Sequence, residues 1–237
     1  MKSVENLPFG FKLMQKAGVF PLGTDAVLLA AFAPTGKNIC DLGAGAGAVS
    51  MLLAAQRKNV EILCVELETQ AAALCAENIA LNGISGRARV LNADLKTVGF
   101  DDKRENFVLV VANPPYMKSG GGKPASSDAL RIAREESSAN LGDFCAAAAR
   151  LLKNGGNFAI CCPPTRLTEL FCELRSAGLE PKRMIFAAHD HEKKPFLALV
   201  SAKKGGAAGL NVEPTLFLNL GGETSPKYAE ILAGGTF

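Results

Sequence analysis

The sequence predicts an α/β fold built on a doubly wound, mostly parallel sheet, and three observations carry that expectation. Apolar runs of strand length alternate with longer helical patterns across residues 38–204, the rhythm of a parallel sheet wrapped by helices on both faces. A glycine-rich turn, Gly43-Ala44-Gly45-Ala46-Gly47, sits where the first of these strands passes into the first following helix. With 237 residues and 48% apolar content, the chain can also bury a sizeable core without disulfides or metal.

Taken in order, Gly23-Thr24-Asp25 followed by the apolar 26–33 predicts a short helix, capped by the Thr24 or Asp25 side chain. Seven strands are expected at 38–42, 60–65, 88–91, 107–112, 157–161, 184–188 and 196–202. Helices are expected at 48–57, 69–82, 141–153 and 167–177. Asn82-Gly83 and Asn154-Gly155-Gly156 read as helix stops. Residues 117–128, with Ser119-Gly120-Gly121-Gly122-Lys123-Pro124, read as an irregular, mobile loop. Residues 205–209 read as a linker and 210–220 as a weakly alternating final strand. The whole is expected to be a single domain, 1–237, divided into an N-terminal segment on the ligand side (1–37), the core sheet (38–204) and a C-terminal extension (205–237).

Net charge is only +3, which neither demands nor opposes a nucleic-acid partner. Its distribution is more informative: residues 1–116 carry 11 Lys and Arg against 11 Asp and Glu, so the whole excess lies in the second half. Lys182, Arg183, Lys193, Lys194, Lys203 and Lys204 suggest a phosphate-facing strip. The seven cysteines are odd in number, never spaced C-x-x-C and mostly set in apolar runs, which predicts reduced core thiols and no zinc site. His189 and His191 flank Asp190 but lack further ligands nearby, so no metal is expected. Residues 1–18 hold no long apolar core of a leader, and no stretch approaches the length of a membrane span, so a cytoplasmic protein is expected.

Two motifs carry chemistry. In Asp41-Leu42-Gly43-Ala44-Gly45-Ala46-Gly47 the glycines permit a tight turn and let a ligand approach backbone N–H groups at a helix start. Gly43, Gly45 and Ala48 also satisfy the dinucleotide pattern, with Glu66 at the ribose position, so an NAD-type reading is open on this motif alone. Three acids favour S-adenosyl-L-methionine. Asp41 would repel a pyrophosphate but attract the ammonium of a methionine moiety, Glu66 can accept both ribose hydroxyls, and Asp94 can accept from an adenine amino group. The neighbouring Leu67 and Leu95 complete the candidate cofactor set.

The second motif, Asn113-Pro114-Pro115-Tyr116, follows the apolar strand Phe107-Val108-Leu109-Val110-Val111-Ala112, at the sheet edge where open α/β folds hold ligands. Its prolines stiffen the backbone, so the Asn113 amide oxygen and the Pro114 carbonyl can be held side by side. Together they would accept both hydrogens of a planar NH₂ group and free its lone pair for methyl transfer. Tyr116 offers an aromatic face on which an extruded base can stack.

With both motifs the chain resembles the class I methyltransferases that carry an N-P-P-Y signature, and most closely the bacterial tRNA(Val) adenine-37 N6-methyltransferases. The resemblance extends through Leu13-Met14-Gln15-Lys16, the segment from Phe20-Pro21-Leu22-Gly23-Thr24-Asp25 to Ala30, Arg131-Ile132-Ala133-Arg134-Glu135, Pro214-Thr215-Leu216-Phe217-Leu218 and Tyr228. It implies a seven-stranded Rossmann-like sheet with an antiparallel last strand, S-adenosyl-L-methionine as cofactor, tRNA as substrate, Gln15 and Thr24 near the cofactor, and Asn113 as the catalytic residue. Arg131, Arg134, Lys193 and Lys194 are candidate RNA contacts. The Pro163-Pro164 pair and the glycine-rich 117–123 depart from the family's pattern. Open alternatives are a protein-glutamine N5-methyltransferase, an rRNA guanine-N2 methyltransferase, and a non-catalytic cofactor-binding subunit that presents RNA to a partner. Only about 37 residues precede the first core strand, which counts against the glutamine enzymes' helical extension.

Overall fold

The computed structural model describes residues 2–19, 21–99, 107–115 and 139–237. A hairpin, β1 (Lys2–Asn6) and β2 (Lys12–Lys16), precedes α1 (Thr24–Phe32) and then the core: β3 (Asn38–Leu42), α2 (Ala48–Gln56), β4 (Glu61–Glu66), α3 (Thr69–Leu81), β5 (Ala88–Asn92), β6 (Phe107–Ala112), α4 (Leu141–Leu151), β7 (Leu152–Cys162), α5 (Leu167–Ser176), β8 (Leu179–Ala188) and β9 (Leu197–Lys204). Four two-residue strands follow, β10 (Asn211–Val212), β11 (Leu216–Phe217), β12 (Asn219–Leu220) and β13 (Glu223–Thr224), and then α6 (Pro226–Leu232).

The long strands lie in the order β5-β4-β3-β6-β7-β9-β8, with β10 and β11 added along the outer side of β8. All pairs from β5 to β7 are parallel. β9 is antiparallel to both β7 and β8, so β8 points the same way as the parallel strands. The seven expected core strands are therefore present, with the last in sequence reversed.

Strand alternation explains the two apolar layers. Ile39, Leu109 and Val111 face a cluster with α1 and α2, whereas Cys40, Leu42, Val110 and Ala112 face a cluster with α4 and α5. Burial on both faces is why these strands read as continuous apolar runs. α4 shows the complementary helical pattern: Leu141, Phe144, Cys145, Ala148 and Leu151 form its buried stripe, and an Asn140–Asp143 capping box starts it.

Four details differ from the sequence expectation. α1 is preceded by Gly23 with no side-chain cap at that position; Asp25 instead accepts the N–H of the next residue, Ala26, at 2.8 Å. Asn154-Gly155-Gly156 does not stop a helix: α4 ends at Leu151 and the chain enters β7 at once. Gly155, at φ +76°, lies in an irregularity where Phe107 pairs with Leu152 but Leu109 already pairs with Asn157. The single strand expected over 210–220 is broken into short pieces. The basic strip is also divided, because β9 runs back: Lys203 and Lys204 return to the opposite sheet edge from Lys193 and Lys194. Lys182 donates to the Ala207 carbonyl, Arg183 pairs with Glu213, and Lys204 donates to the Leu152 carbonyl. The expected loop at 117–128 lies outside the described residues.

Candidate active site

Pairing register brings the candidate residues to one level. Leu42 is opposite Val65 on one side and Ala112 on the other, Ala112 is opposite Ile160, and Glu66 is opposite Asn92. One residue further on, Glu66, Gly43, Asn113 and Cys161 therefore form a row across the carboxyl ends of β4, β3, β6 and β7, about 4.8 Å from strand to strand. This row is the crevice edge at which open parallel sheets bind ligands.

The turn after β3 is held from below and from the side. Gly43 and Ala44 both donate to the Val65 carbonyl, at 2.9 and 3.0 Å, and Gly45 donates to Glu66 Oε2 at 2.8 Å. Gly45 lies at φ +57° with nothing within 4 Å of where a Cβ would stand, so one face of the turn is open for a ligand. Gly47 lies at φ +85°, and a Cβ there would meet Cys75 Sγ at 2.7 Å, so helix α3 closes the other side.

Glu66 caps this arrangement. Each carboxylate oxygen takes one backbone N–H, Oε2 from Gly45 and Oε1 from Glu68, leaving further acceptor capacity on both for a diol. The Asn92 amide donates to the carbonyls of Glu66 and Leu67 and so holds the end of β4 in place. Leu67 is half exposed beside it, whereas Leu95 is buried in the α4/α5 cluster, so Leu95 presents backbone rather than side chain to this edge. Asp94 turns its carboxylate onto the Lys96 N–H at 2.9 Å.

Asp41 is nearly inaccessible, at 2% exposure, and its Oδ2 accepts the Ser50 hydroxyl at 2.6 Å; Ser50 in turn accepts the Cys64 thiol. Burial pushes the Asp41 carboxyl up to about 7, opposed by the hydrogen bonds from Ser50 and reinforced by the charge of Glu66. A hydrogen bond to Cys64 and burial raise the Cys75 thiol, and burial raises Cys145 and Cys162 to about 12, so these three are protonated packing groups rather than nucleophiles.

The segment that carries Gln15 is linked to the turn through an unexpected residue. Asn78, fully buried on α3, donates to the carbonyls of Ala46 and Met14 at 2.9 and 3.0 Å and accepts the Met14 N–H at 2.7 Å. This clamps β2 to the glycine turn. Gln15 Oε1 accepts the Leu22 N–H at 2.9 Å, tying β2 to the entry of α1, where Thr24 stands. The signal in the sequence was a polar residue inside the apolar stripe Leu74-Cys75-Ile79.

Asn113 is half-buried at the end of β6, with Pro114 buried and Pro115 exposed. Its Oδ1 accepts the Cys161 thiol at 3.1 Å. Tyr116, Arg131 and Arg134 lie outside the described residues. Lys193 and Lys194 are exposed on the segment joining β8 to β9, at the same carboxyl edge, where the His189 ring stacks on Phe196 at 4.7 Å. Among the described residues, no group of three or more His, Cys, Asp or Glu side chains is placed to hold a metal ion, and no helix is long and apolar enough to cross a membrane.

A glycine turn bounded by acids at successive strand ends, with an Asn-Pro-Pro segment on the neighbouring strand, is the arrangement of a class I methyltransferase. The donor set fits an adenosyl sulfonium: spare acceptor capacity on Glu66, an ionisable carboxyl beneath the turn, and an open face at Gly45. The methyltransferase small domain model matches residues 10–166, and the chain belongs to that family. The tRNA1(Val) (adenine(37)-N6)-methyltransferase of Flavobacteriaceae bacterium (strain 3519-10) is 33% identical over 197 residues, 75% of this chain and 82% of that protein. The protein of the same name from Shewanella halifaxensis is 32% identical, over 80% and 78% of the two chains. Among solved structures, a protein described as a predicted O-methyltransferase from Agrobacterium tumefaciens superposes with a TM-score of 0.73 at 23% identity, covering 90% of this chain and 98% of that one. A T. thermophilus 16S rRNA N2 G1207 methyltransferase in complex with AdoMet and guanosine gives 0.59 at 19% identity, over 86% and 50%.

Proposed function

We propose that this protein transfers a methyl group from S-adenosyl-L-methionine to the exocyclic N6 of an unpaired adenine in tRNA, adenine 37 of tRNA1(Val) by likeness to its named relatives. The observation that carries the reading is the placement of Asn113-Pro114-Pro115 at the end of β6, one strand from the glycine turn. In this reading Glu66 accepts the ribose hydroxyls, Asp94 the adenine amino group of the cofactor, and Asp41 balances its ammonium. Backbone groups of residues 43–47, Gln15, Thr24, Leu67 and Leu95 line the same ligand. Residues 38–204 form the catalytic sheet, 1–37 brace its ligand side and 205–237 cover its far edge.

When bound, the cofactor supplies a methyl group activated by a sulfonium. The protein's task is to present the nitrogen. Asn113 Oδ1 and the Pro114 carbonyl take the two amine hydrogens and draw the nitrogen toward tetrahedral geometry. A neutral amine needs no strong base, because its surplus proton becomes acidic only as the new bond forms, so positioning carries the catalysis. An anticodon-loop adenine is already unpaired and costs little to extrude, and Tyr116 stacks on it once it is out. Lys193, Lys194, Arg131 and Arg134 are proposed to meet the RNA backbone, and a tRNA substrate puts the activity in the cytoplasm.

The test is mass spectrometry of nucleosides from tRNA incubated with the enzyme and methyl-labelled cofactor. N6-methyladenosine carrying the label is expected. Label on guanine N2, or in a protein glutamine with none in tRNA, would replace the reading.

A further inference from the structure

We propose that His189 and Phe196 form a stacking platform for a second nucleobase of the RNA, one belonging to a nucleotide other than the methylated adenine. The proposal rests on the reading of tRNA as substrate. The two rings lie at an interplanar angle of 19°, with centroids 4.7 Å apart. His189 is nevertheless exposed, so the parts of its ring that Phe196 does not cover are open to solvent. The pair stands on the segment between β8 and β9, beside Lys193 and Lys194. That segment also carries Asp190 and Glu192, so its formal charges balance and charge alone does not hold an RNA there. Stacking on an aromatic face is what the geometry adds, and every base has a face to offer.

The rings are mounted on backbone that is held from both sides. Toward β9, the Phe196 N–H donates to the Ala187 carbonyl at 3.0 Å, and Ala187 pairs with Leu197. On the outer side, the Leu218 and Asn219 N–H groups donate to the carbonyls of Ala188 and His189 at 2.9 and 2.8 Å, so the C-terminal extension braces the residue that carries the ring. The turn itself is tied by the Asp190 carboxylate, which accepts the Glu192 N–H at 2.9 Å. A ring held in this way loses little freedom when a ligand binds. Strand register gives its distance from the reacting group. Ala112, Ile160, Val200 and Met184 lie at one level across β6, β7, β9 and β8. His189 is five residues beyond Met184 and Asn113 one beyond Ala112, so about 13 Å of height and about 14 Å across three strand spacings separate them. The ring is therefore too far away to stack on the base that Asn113 holds, and it meets another nucleotide of the same RNA.

The experiment crosses His189→Leu, which still covers Phe196 but has no aromatic face, and His189→Phe, which keeps one, with tRNA1(Val) carrying single abasic nucleotides around the target adenine. Equilibrium tRNA binding is measured, with the cofactor Kd determined on the same preparations. His189→Leu is expected to weaken tRNA binding about tenfold, the worth of one stacked base, with the cofactor Kd and the slope of log Kd against log salt unchanged. His189→Phe is expected to bind within about threefold of the parent. One abasic position other than the target is expected to cost the parent about tenfold and to cost His189→Leu nothing further, since that variant has already lost the contact. If His189 only covers Phe196, the two losses add instead of overlapping. The proposal is overturned if they add at every position, if His189→Leu binds tRNA as the parent does, or if His189→Phe binds no better than His189→Leu. Methylation of tRNA adenine with no coupled position removes this proposal alone, whereas label in protein with none in tRNA removes the adenine reading and this proposal together.

Discussion

Replacing Asn78 by Ala removes a side chain that uses all its hydrogen-bonding groups on backbone distant in sequence. The Ala46 carbonyl lies deep in the fold and loses this bond where water does not reach, a loss on the order of 1–3 kcal/mol. The Met14 N–H and carbonyl are only partly buried, so water recovers part of each, and about 1 kcal/mol apiece is expected. The sum, about 3–5 kcal/mol, divides between global stability and the local clamp of β2 on the glycine turn. Urea denaturation reads the first, and calorimetric titration with the demethylated cofactor reads the second. Asn78→Ala is expected to lower the unfolding midpoint and to weaken cofactor binding at least tenfold, although Asn78 itself faces no ligand. Unchanged cofactor affinity in a folded Asn78→Ala protein would refute the view that this residue carries Gln15 to the site.

Asp41 gives a pH prediction. Its carboxyl holds a proton up to about pH 7 when folded and only to about 3.8 when unfolded, so the folded state binds more protons across that window. Its contribution to stability is complete below pH 4 and lost as pH rises toward 7, by at most about 4 kcal/mol. Thermal melts at pH 5 and pH 8 should differ less in Asp41→Asn than in the parent; an equal pH dependence would count against this origin. Gly47→Ala must adopt a left-handed backbone and meets Cys75 Sγ, so a loss of about 2–4 kcal/mol is expected, against about 1–2 for Gly45→Ala, whose Cβ meets nothing. Equal urea midpoints for the two would show that α3 does not close that side of the turn.

The core of the fold was legible because its information is local. Strand β6 is apolar throughout and β3 and β4 are mostly so, since both of their faces are covered, and α3 ends at an Asn-Gly whose glycine sits at φ +65°. The hairpin β1–β2 was not legible: β1 is exposed along its whole length and carries no alternation to read. Two-residue strands such as β10 and β11 are too short to have a period, and they exist only because the edge of β8 offers them backbone partners. Gly155 shows a different limit, since a positive φ serves a kinked strand as well as a helix end.

The site divides in the same way. Asp41, Glu66 and Asn113 announced themselves through adjoining glycines, strand ends and prolines. Asn78 and Cys161 did not, because their partners are 64 and 48 residues away and meet them only through helix packing and strand register. Lys193 and Lys194 reach the carboxyl edge while Lys203 and Lys204 leave it, a separation set by the reversal of β9 and invisible in a count of charges.

The most direct measurement is single-turnover methyl transfer to tRNA by Asn113→Ala beside the parent, with the cofactor Kd determined on the same preparations. A loss of transfer of about a hundredfold or more, with Kd within about twofold, is the result expected when two oxygens orient the amine and do not hold the cofactor. Transfer at the parent rate by Asn113→Ala would contradict the account at its centre.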